Sequence, residues 1–317
     1  MVNGRYMRAT WALLGFLLVV VLWGGFVRAT GSGAGCGAHW PVCKGQIVPP
    51  APALETVIEF THRVSSGLVT VLVVLWAAWG FLAFPRGHRV RTGAVLGVMA
   101  ILLEGGIGAG LVLLRLVGTD DSLARAGWMA LHLVNTFFLL ATVALTGAWA
   151  GGIDRPRLRE RGAVDILMLA ALVGLVALGV SGALAALGDT LFPAPSLLAG
   201  LRQDVARGAH TLLRLRTIHP FLAVFVGTLA IAAAAVSSVL RPGRAVRRVA
   251  LVVIGLVLLQ LCAGLVNLAL LAPVWMQLVH LLLADAVWLG MVLLTASALA
   301  EDAPRLDPRK SKWGFAA

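Results

Sequence analysis

Eight long, nearly uninterrupted apolar runs dominate this chain, at about 10–27, 60–84, 93–115, 126–150, 164–188, 217–240, 249–272 and 275–299. A helix needs roughly 20 mostly apolar residues to cross the hydrocarbon core of a bilayer, so each run reads as a membrane span. No segment alternates in polarity over about ten residues, as the strands of a membrane barrel do. The first run follows Arg5 and Arg8 and precedes small residues from Ala29 to Ala34, the layout of a signal peptide. It is long for a signal core, and we read it as an uncleaved first span. The chain is 60% apolar and 13% charged. A soluble domain averages roughly 45–50% and about 25%. A soluble globular enzyme, a disordered chain and a fibre are thereby excluded. Three cysteines are too few for a disulfide scaffold.

The net charge of +12 would suit a nucleic-acid binder if it formed one patch. It is instead divided among short loops. Arg5 and Arg8 precede the first span, Arg86, Arg89 and Arg91 the third, and Arg155, Arg157, Arg159 and Arg161 the fifth. Arg241, Arg244, Arg247 and Arg248 precede the seventh, and Arg305, Arg309, Lys310 and Lys312 follow the eighth. These alternate segments share one side, which the positive-inside rule makes the cytoplasm. Both termini are expected there, in a multi-pass inner-membrane protein, with the bilayer and not nucleic acid as partner. The longer loops, at about 28–58, 116–125 and 189–216, belong outside.

The chain also divides into two similar halves. His62 and His219 lie early in the second and sixth spans, and His132 and His280 early in the fourth and eighth. Trp128-Met129 precedes His132 as Trp275-Met276 precedes His280, and Gly110-Leu111-Val112 resembles Gly264-Leu265-Val266. The expected fold is all-α, with eight transmembrane helices as two pseudo-symmetric four-helix bundles. The bundles are expected at 1–150 and 163–300, with a cytoplasmic linker at 151–162 and a cytoplasmic tail at 301–317.

All four histidines sit within about two turns of a helix start, roughly 10 Å at 1.5 Å per residue. They should therefore lie level with one another near the outer face. One intramembrane histidine can be a hydrogen-bonded core residue, but four in repeated pairs point to function. Two histidines on facing helices suit axial ligation of a haem. Zinc would want three or four ligands together, and a proton relay would mix in acids. Gly105, Gly106, Gly108, Gly110, Ala263 and Gly264 would leave room for a porphyrin, or serve close helix packing. Arg28, Arg63, Arg214 and Arg216 are candidate partners for haem propionates, or plain interfacial arginines.

Glu59 lies three residues before His62, on the same helix face. It is either a proton-handling carboxylate or an acid paired with Arg63. Arg216 stands at the corresponding place before His219, so the halves are chemically unequal. Cys36 and Cys43 flank His39 in the first outer loop, where oxidising conditions allow a disulfide, structural or redox-active. Cys262 reads as a small apolar packer inside a span. Glu104, Asn135 and Asp285 lie within spans without an assigned role. His88 and His210 carry no signal.

Gly25-Phe26-Val27-Arg28-Ala29-Thr30-Gly31-Ser32-Gly33, with Cys36, Trp40-Pro41 and Cys43, resembles the first outer loop of bacterial haem A synthases. Glu59-Phe60-Thr61-His62-Arg63 is similar to that family's second-helix motif. Leu187-Gly188-Asp189-Thr190-Leu191-Phe192-Pro193, His219-Pro220 and His280 extend the likeness along the chain. The resemblance implies an oxidoreductase that converts haem O to haem A for cytochrome oxidase, oxidising the C8 methyl to a formyl group. It implies His62 and His132 on the substrate haem, and His219 and His280 on the iron of a haem b cofactor. It further implies Glu59 at the reacting methyl and a Cys36–Cys43 disulfide. Haem O synthase and cytochrome oxidase assembly factors would be partners, beside an electron partner of unknown identity. The alternative is a transmembrane b-type cytochrome exchanging electrons with quinone. A haem transporter or chaperone is a third reading, and would want a gated route in place of fixed ligands.

The charge pattern makes a topology prediction. In a Cys262→Ser background, a cysteine at position 119 should react with a membrane-impermeant maleimide on intact cells. One at position 87 should react only after permeabilisation. The reverse pattern would invert the topology.

Overall fold

The computed structural model describes residues 3–153, 162–241 and 243–300, and among these it is helical with no strand beyond one isolated bridge. The helices are α1 (Gly4–Ala29), α2 (Leu54–Ala83), α3 (Arg89–Leu113), α4 (Leu123–Ala150), α5 (Ala163–Leu191), α6 (Leu197–Val205), α7 (Thr211–Leu240), α8 (Arg244–Ala269) and α9 (Val274–Ala298). All but the short α6 are long and apolar enough to cross a membrane, which makes the chain a multi-pass membrane protein. The expected arginine-rich linker and tail fall mostly outside the described residues.

The eight spans lie where the apolar runs predict, but several helices begin earlier. α2 starts at Leu54 and α7 at Thr211, each six residues before its apolar run. A helix satisfies its own backbone groups, so it can continue through the polar interface. Side chains then cap the exposed N–H groups: Asn3 accepts from Tyr6, Ser122 from Arg125, and Ser196 from Ala199. His88 and His210 do the same for α3 and α7 through Nδ1. The helix α6 was not expected from the sequence. It is a short amphipathic segment lying on α7 within the loop between α5 and α7.

Packing closes two rings of four. α1, α2, α3 and α4 contact one another in sequence, and α4 returns to α1. α5, α7, α8 and α9 repeat that order, and α9 returns to α5. The rings meet where α1 and α4 face α5 and α9. There Phe137 stacks on Trp288 at 4.9 Å, and the indole N–H donates to the Phe137 carbonyl. A continuous core runs across this interface. Many large apolar side chains, such as Leu82, Leu103, Ile166 and Leu265, point outward as a lipid-facing surface requires.

Local geometry repeats as well. α3 ends with Arg115 at φ 59° and α8 with Leu271 at φ 60°. In both, the next N–H reaches back five residues at 2.8 Å, Leu116 to Leu111 and Ala272 to Asn267. This is a left-handed cap of the Schellman type, here without glycine.

Close helix approach sets strict limits on side-chain size. A Cβ at Gly93 on α3 would lie 1.9 Å from the Thr146 hydroxyl on α4. Gly93→Ala should therefore destabilise the protein by about 1–3 kcal/mol, as overpacking does. Adding Thr146→Ala should restore most of the loss, as read by thermal unfolding in detergent.

Candidate functional site

Helices α2, α4, α7 and α9 all begin at the end of the molecule that carries the cysteine loop. Each presents one histidine below that end. His62 and His219 stand eight residues into their helices, His132 nine and His280 six. At 1.5 Å per residue the depths are about 9–14 Å. Three of them are somewhat deeper than expected, because the helices start before their apolar runs.

Each imidazole lies against a glycine of the neighbouring helix in its own bundle. A Cβ at Gly24 on α1 would come 3.0 Å from His62 Cε1, and one at Gly182 on α5 would come 3.0 Å from His219 Cε1. A Cβ at Gly264 on α8 would come 3.1 Å from His280 Cε1, and one at Gly108 on α3 would stand 4.0 Å from His132 Nε2. The same pairing of helices thus recurs in both halves. Of the two uses the sequence left open for the glycines, Gly110 and Gly264 serve close packing. Gly264 makes room for the His280 ring itself, and Gly110 faces the Trp128 ring, 2.4 Å from where a Cβ would stand. Gly105 and Gly106 face outward with no neighbour within 4 Å.

His219 and His280 stand perpendicular with ring centroids 6.5 Å apart. Two imidazoles sharing one iron through bonds of ~2 Å would place their ring centres about 6 Å apart. His219 Nδ1 is 3.0 Å from the Ser181 hydroxyl, and His280 Nε2 is 3.3 Å from Gln260 Nε2. In the other half His62 lies within electrostatic reach of His132, without ring contact. The Nδ1 atoms of His62 and His280 are buried without a hydrogen-bond partner. Buried nitrogens left without partners, and rings seated on glycine, fit axial ligation of haem. Among the described residues no three His, Cys, Asp or Glu side chains gather as a zinc site needs.

One supporting residue was left unassigned in the sequence. Glu104 on α3 holds Oε1 2.9 Å from His132 Nδ1, a close ion-pair separation outside hydrogen-bond angles. Asn135 donates to its other oxygen at 2.5 Å, and the Thr136 hydroxyl donates to Oε1. Gln260 stands 156 residues after Glu104, the offset at which the structure seats Gly108 and Gly264 against their histidines, and two more than the Gly110 and Gly264 likeness gives. Asp285 is fully buried in α9, and neither carboxylate oxygen has a partner.

Glu59 is 3% exposed and joins the cysteine loop to α2. Its Oε2 accepts the Cys36 backbone N–H at 2.7 Å, and its Oε1 meets Arg63 at 2.5 Å. The pairing with Arg63 is one of the two readings the sequence left open. Arg63 also donates to the carbonyls of His39 and Val42, at 2.5 and 2.8 Å. Cys36 and Cys43 form a disulfide, both fully buried. In the second half Arg216 takes the place of Glu59, with the charges exchanged. It pairs with Asp189 at 2.8 Å and with Asp204 of α6. Arg28 donates to the Ala186 carbonyl, Thr190 and Gln277 at 2.8, 2.9 and 2.8 Å, bridging α1 to α5 and α9. Arg214 is exposed and donates to the Arg207 carbonyl at 2.9 Å. Of the four arginines it is the least committed. Cys262 corrects another expectation: it faces outward on α8 and does not pack in the core.

Residues 7–292 match the cytochrome oxidase assembly protein family COX15-CtaA. The chain belongs to this family. It is 48% identical over 297 residues to a "Protoheme IX farnesyltransferase" of Thermus thermophilus, a match covering 94% of this chain and 49% of that protein. It is 36% identical over 142 residues to the "Heme A synthase" of Halalkalibacterium halodurans, covering 44% of this chain and 45% of that one. The "Heme A synthase" of Shouchella clausii is 42% identical over 132 residues, covering 42% of this chain and 41% of that one. The matches therefore span about half the length of these relatives.

Removing Arg63 would leave Glu59 buried beside a single backbone donor. Arg63→Ala should destabilise by about 3–5 kcal/mol, the usual cost of breaking a buried pair from one side. Adding Glu59→Gln should recover part of that loss in denaturant unfolding.

Proposed function

We propose that this chain is a haem A synthase, an oxidoreductase that converts the C8 methyl of haem O to the formyl group of haem A. The observation that carries this reading is four glycine-seated histidines in two facing pairs within unequal halves. Family membership and the names of the haem A synthase relatives support it. His62 and His132 would hold the substrate haem, and His219 and His280 the iron of a haem b cofactor. A bound haem b supplies electron exchange with the substrate haem.

The inequality between the halves favours an enzyme over a two-haem electron carrier. The first half has an acid, Glu59, one turn before His62, and a second acid, Glu104, at His132. The second half has Arg216 and Gln260 at the corresponding places. Glu59 would act at the reacting methyl, where a carboxylate can accept or release a proton while an external oxidant takes up the electrons that separate a methyl from a formyl group. Arg63 and the Cys36 N–H keep that carboxylate in position. Lying at the rim, Arg214 has donors to spare for a haem propionate. Arg28, Arg63 and Arg216 would share that task only by loosening the contacts they make.

We place the protein in the cell membrane, basic loops inside and the histidine end outside. Its partners would be a haem O synthase and cytochrome oxidase assembly factors. The Thermus relative, roughly twice as long and named for farnesyl transfer to protohaem, supports the first of these.

The test is expression with a haem O source, followed by acid–acetone extraction and chromatography. Haem A should appear. Protohaem alone, with haem O unchanged under oxidising and reducing conditions, would favour the electron-carrier reading. Glu59→Ala should keep its haem and lose the formyl product, and full activity would remove Glu59 from the mechanism.

A further inference from the structure

The two histidines of the N-terminal pair are held in different ways. His132 is tethered by an ion pair: its Nδ1 lies 2.9 Å from Glu104 Oε1, outside hydrogen-bond angles. That carboxylate is itself fixed, because Asn135 donates to Oε2 at 2.5 Å and the Thr136 hydroxyl donates to Oε1. Asn135 also donates to the Ala100 carbonyl of α3 at 2.9 Å, which locks the amide. His132, Asn135 and Thr136 lie within one turn of α4, so one acid on α3 gathers three α4 side chains. A carboxylate partner of this kind sets the tautomer and orientation of a metal-binding imidazole and strengthens it as a donor.

His62 has no such partner. Its Nδ1, like that of His132, is buried without a hydrogen bond, but among the described residues no carboxylate stands at ion-pair distance from it as Glu104 does from His132. Its neighbour on α1 is Gly24, which presents no side chain to wedge the ring. The His62 ring is held by packing alone, with no charged partner to fix its orientation. The second half lacks the tether on α9. Gln260 replaces Glu104, its Oε1 is buried without a partner, and its Nε2 makes one 3.3 Å contact with His280.

We propose that His132, anchored by Glu104, is the permanent ligand of the N-terminal haem, and that His62 is the exchangeable one. This rests on the reading that the pair holds a haem. A haem with two histidine ligands has no open position on its iron. His62 resolves this by releasing the iron: the Fe–N bond breaks, the electron pair stays on the nitrogen, and a small molecule takes the vacated position. Glu104 is thus a positioning residue that acts through His132.

The experiment uses the full-length protein in detergent, loaded with haem O and haem b. Because the two pigments separate on extraction, the ratio of haem O to haem b reports the N-terminal site against the C-terminal one. His62→Ala should retain haem O as a five-coordinate, high-spin species that binds carbon monoxide once reduced. His132→Ala should lose haem O. Glu104→Gln should weaken haem O retention by about 10–100-fold, the usual effect of removing such a partner, with the haem b spectrum unchanged. Thr136→Val, a milder change, should act in the same direction. If His62→Ala and His132→Ala lose haem O equally, or Glu104→Gln and Thr136→Val leave retention and spin state unaltered, the assignment fails while haem binding stands. Wild-type protein that takes up haem in neither half overturns both.

Discussion

A bilayer core contains no water, and every polar group placed in it must find its partner within the protein. This constraint organises the whole molecule. It makes each crossing a helix, and it brings the intramembrane polar side chains together across helix interfaces. Glu104 meets His132, Asn135 and Thr136. Ser181 meets His219, and Trp288 meets the Phe137 carbonyl. At His62 Nδ1, His280 Nδ1 and both Asp285 oxygens the structure supplies no hydrogen-bond partner.

The same constraint shapes the loops. Each bundle carries a cap over its histidine end, the disulfide loop on the first and the α6 segment on the second. A charge one turn before a histidine fastens each cap, the buried Glu59 in one half and the half-buried Arg216 in the other. The sign is opposite, yet the job is shared: one charged side chain engages both a helix and the cap above it. Buried pairs of this kind add little net stability but are costly to break from one side. They hold a single arrangement of the caps over the proposed haem sites. Arg28 does the equivalent between bundles, spending its donors on α5 and α9.

Much of the fold was legible in the sequence. The apolar runs located all eight spans, because hydrocarbon selects composition directly. The histidines stood out as candidate site residues, because an imidazole within a span differs from its neighbours. The ends of the helices were less legible: at Leu54 and Thr211 the helix continues into polar sequence that no longer reports burial. The choice between the two readings of the glycines was not legible for a related reason. Gly110 and Gly264 look alike in sequence, but a Trp128 ring occupies one gap and the His280 ring the other.

The sequence by itself determined the class, the number of spans and which residues are candidates for the chemistry, since each depends on composition or on spacing along one helix. Only the tertiary structure decided which of those residues touch. Glu104 and His132 are 28 positions apart on different helices, and Arg28 and Gln277 come from opposite halves of the chain. Helical periodicity states which face a side chain occupies. It does not state which helix stands opposite, and that choice separates the tethered His132 from the untethered His62.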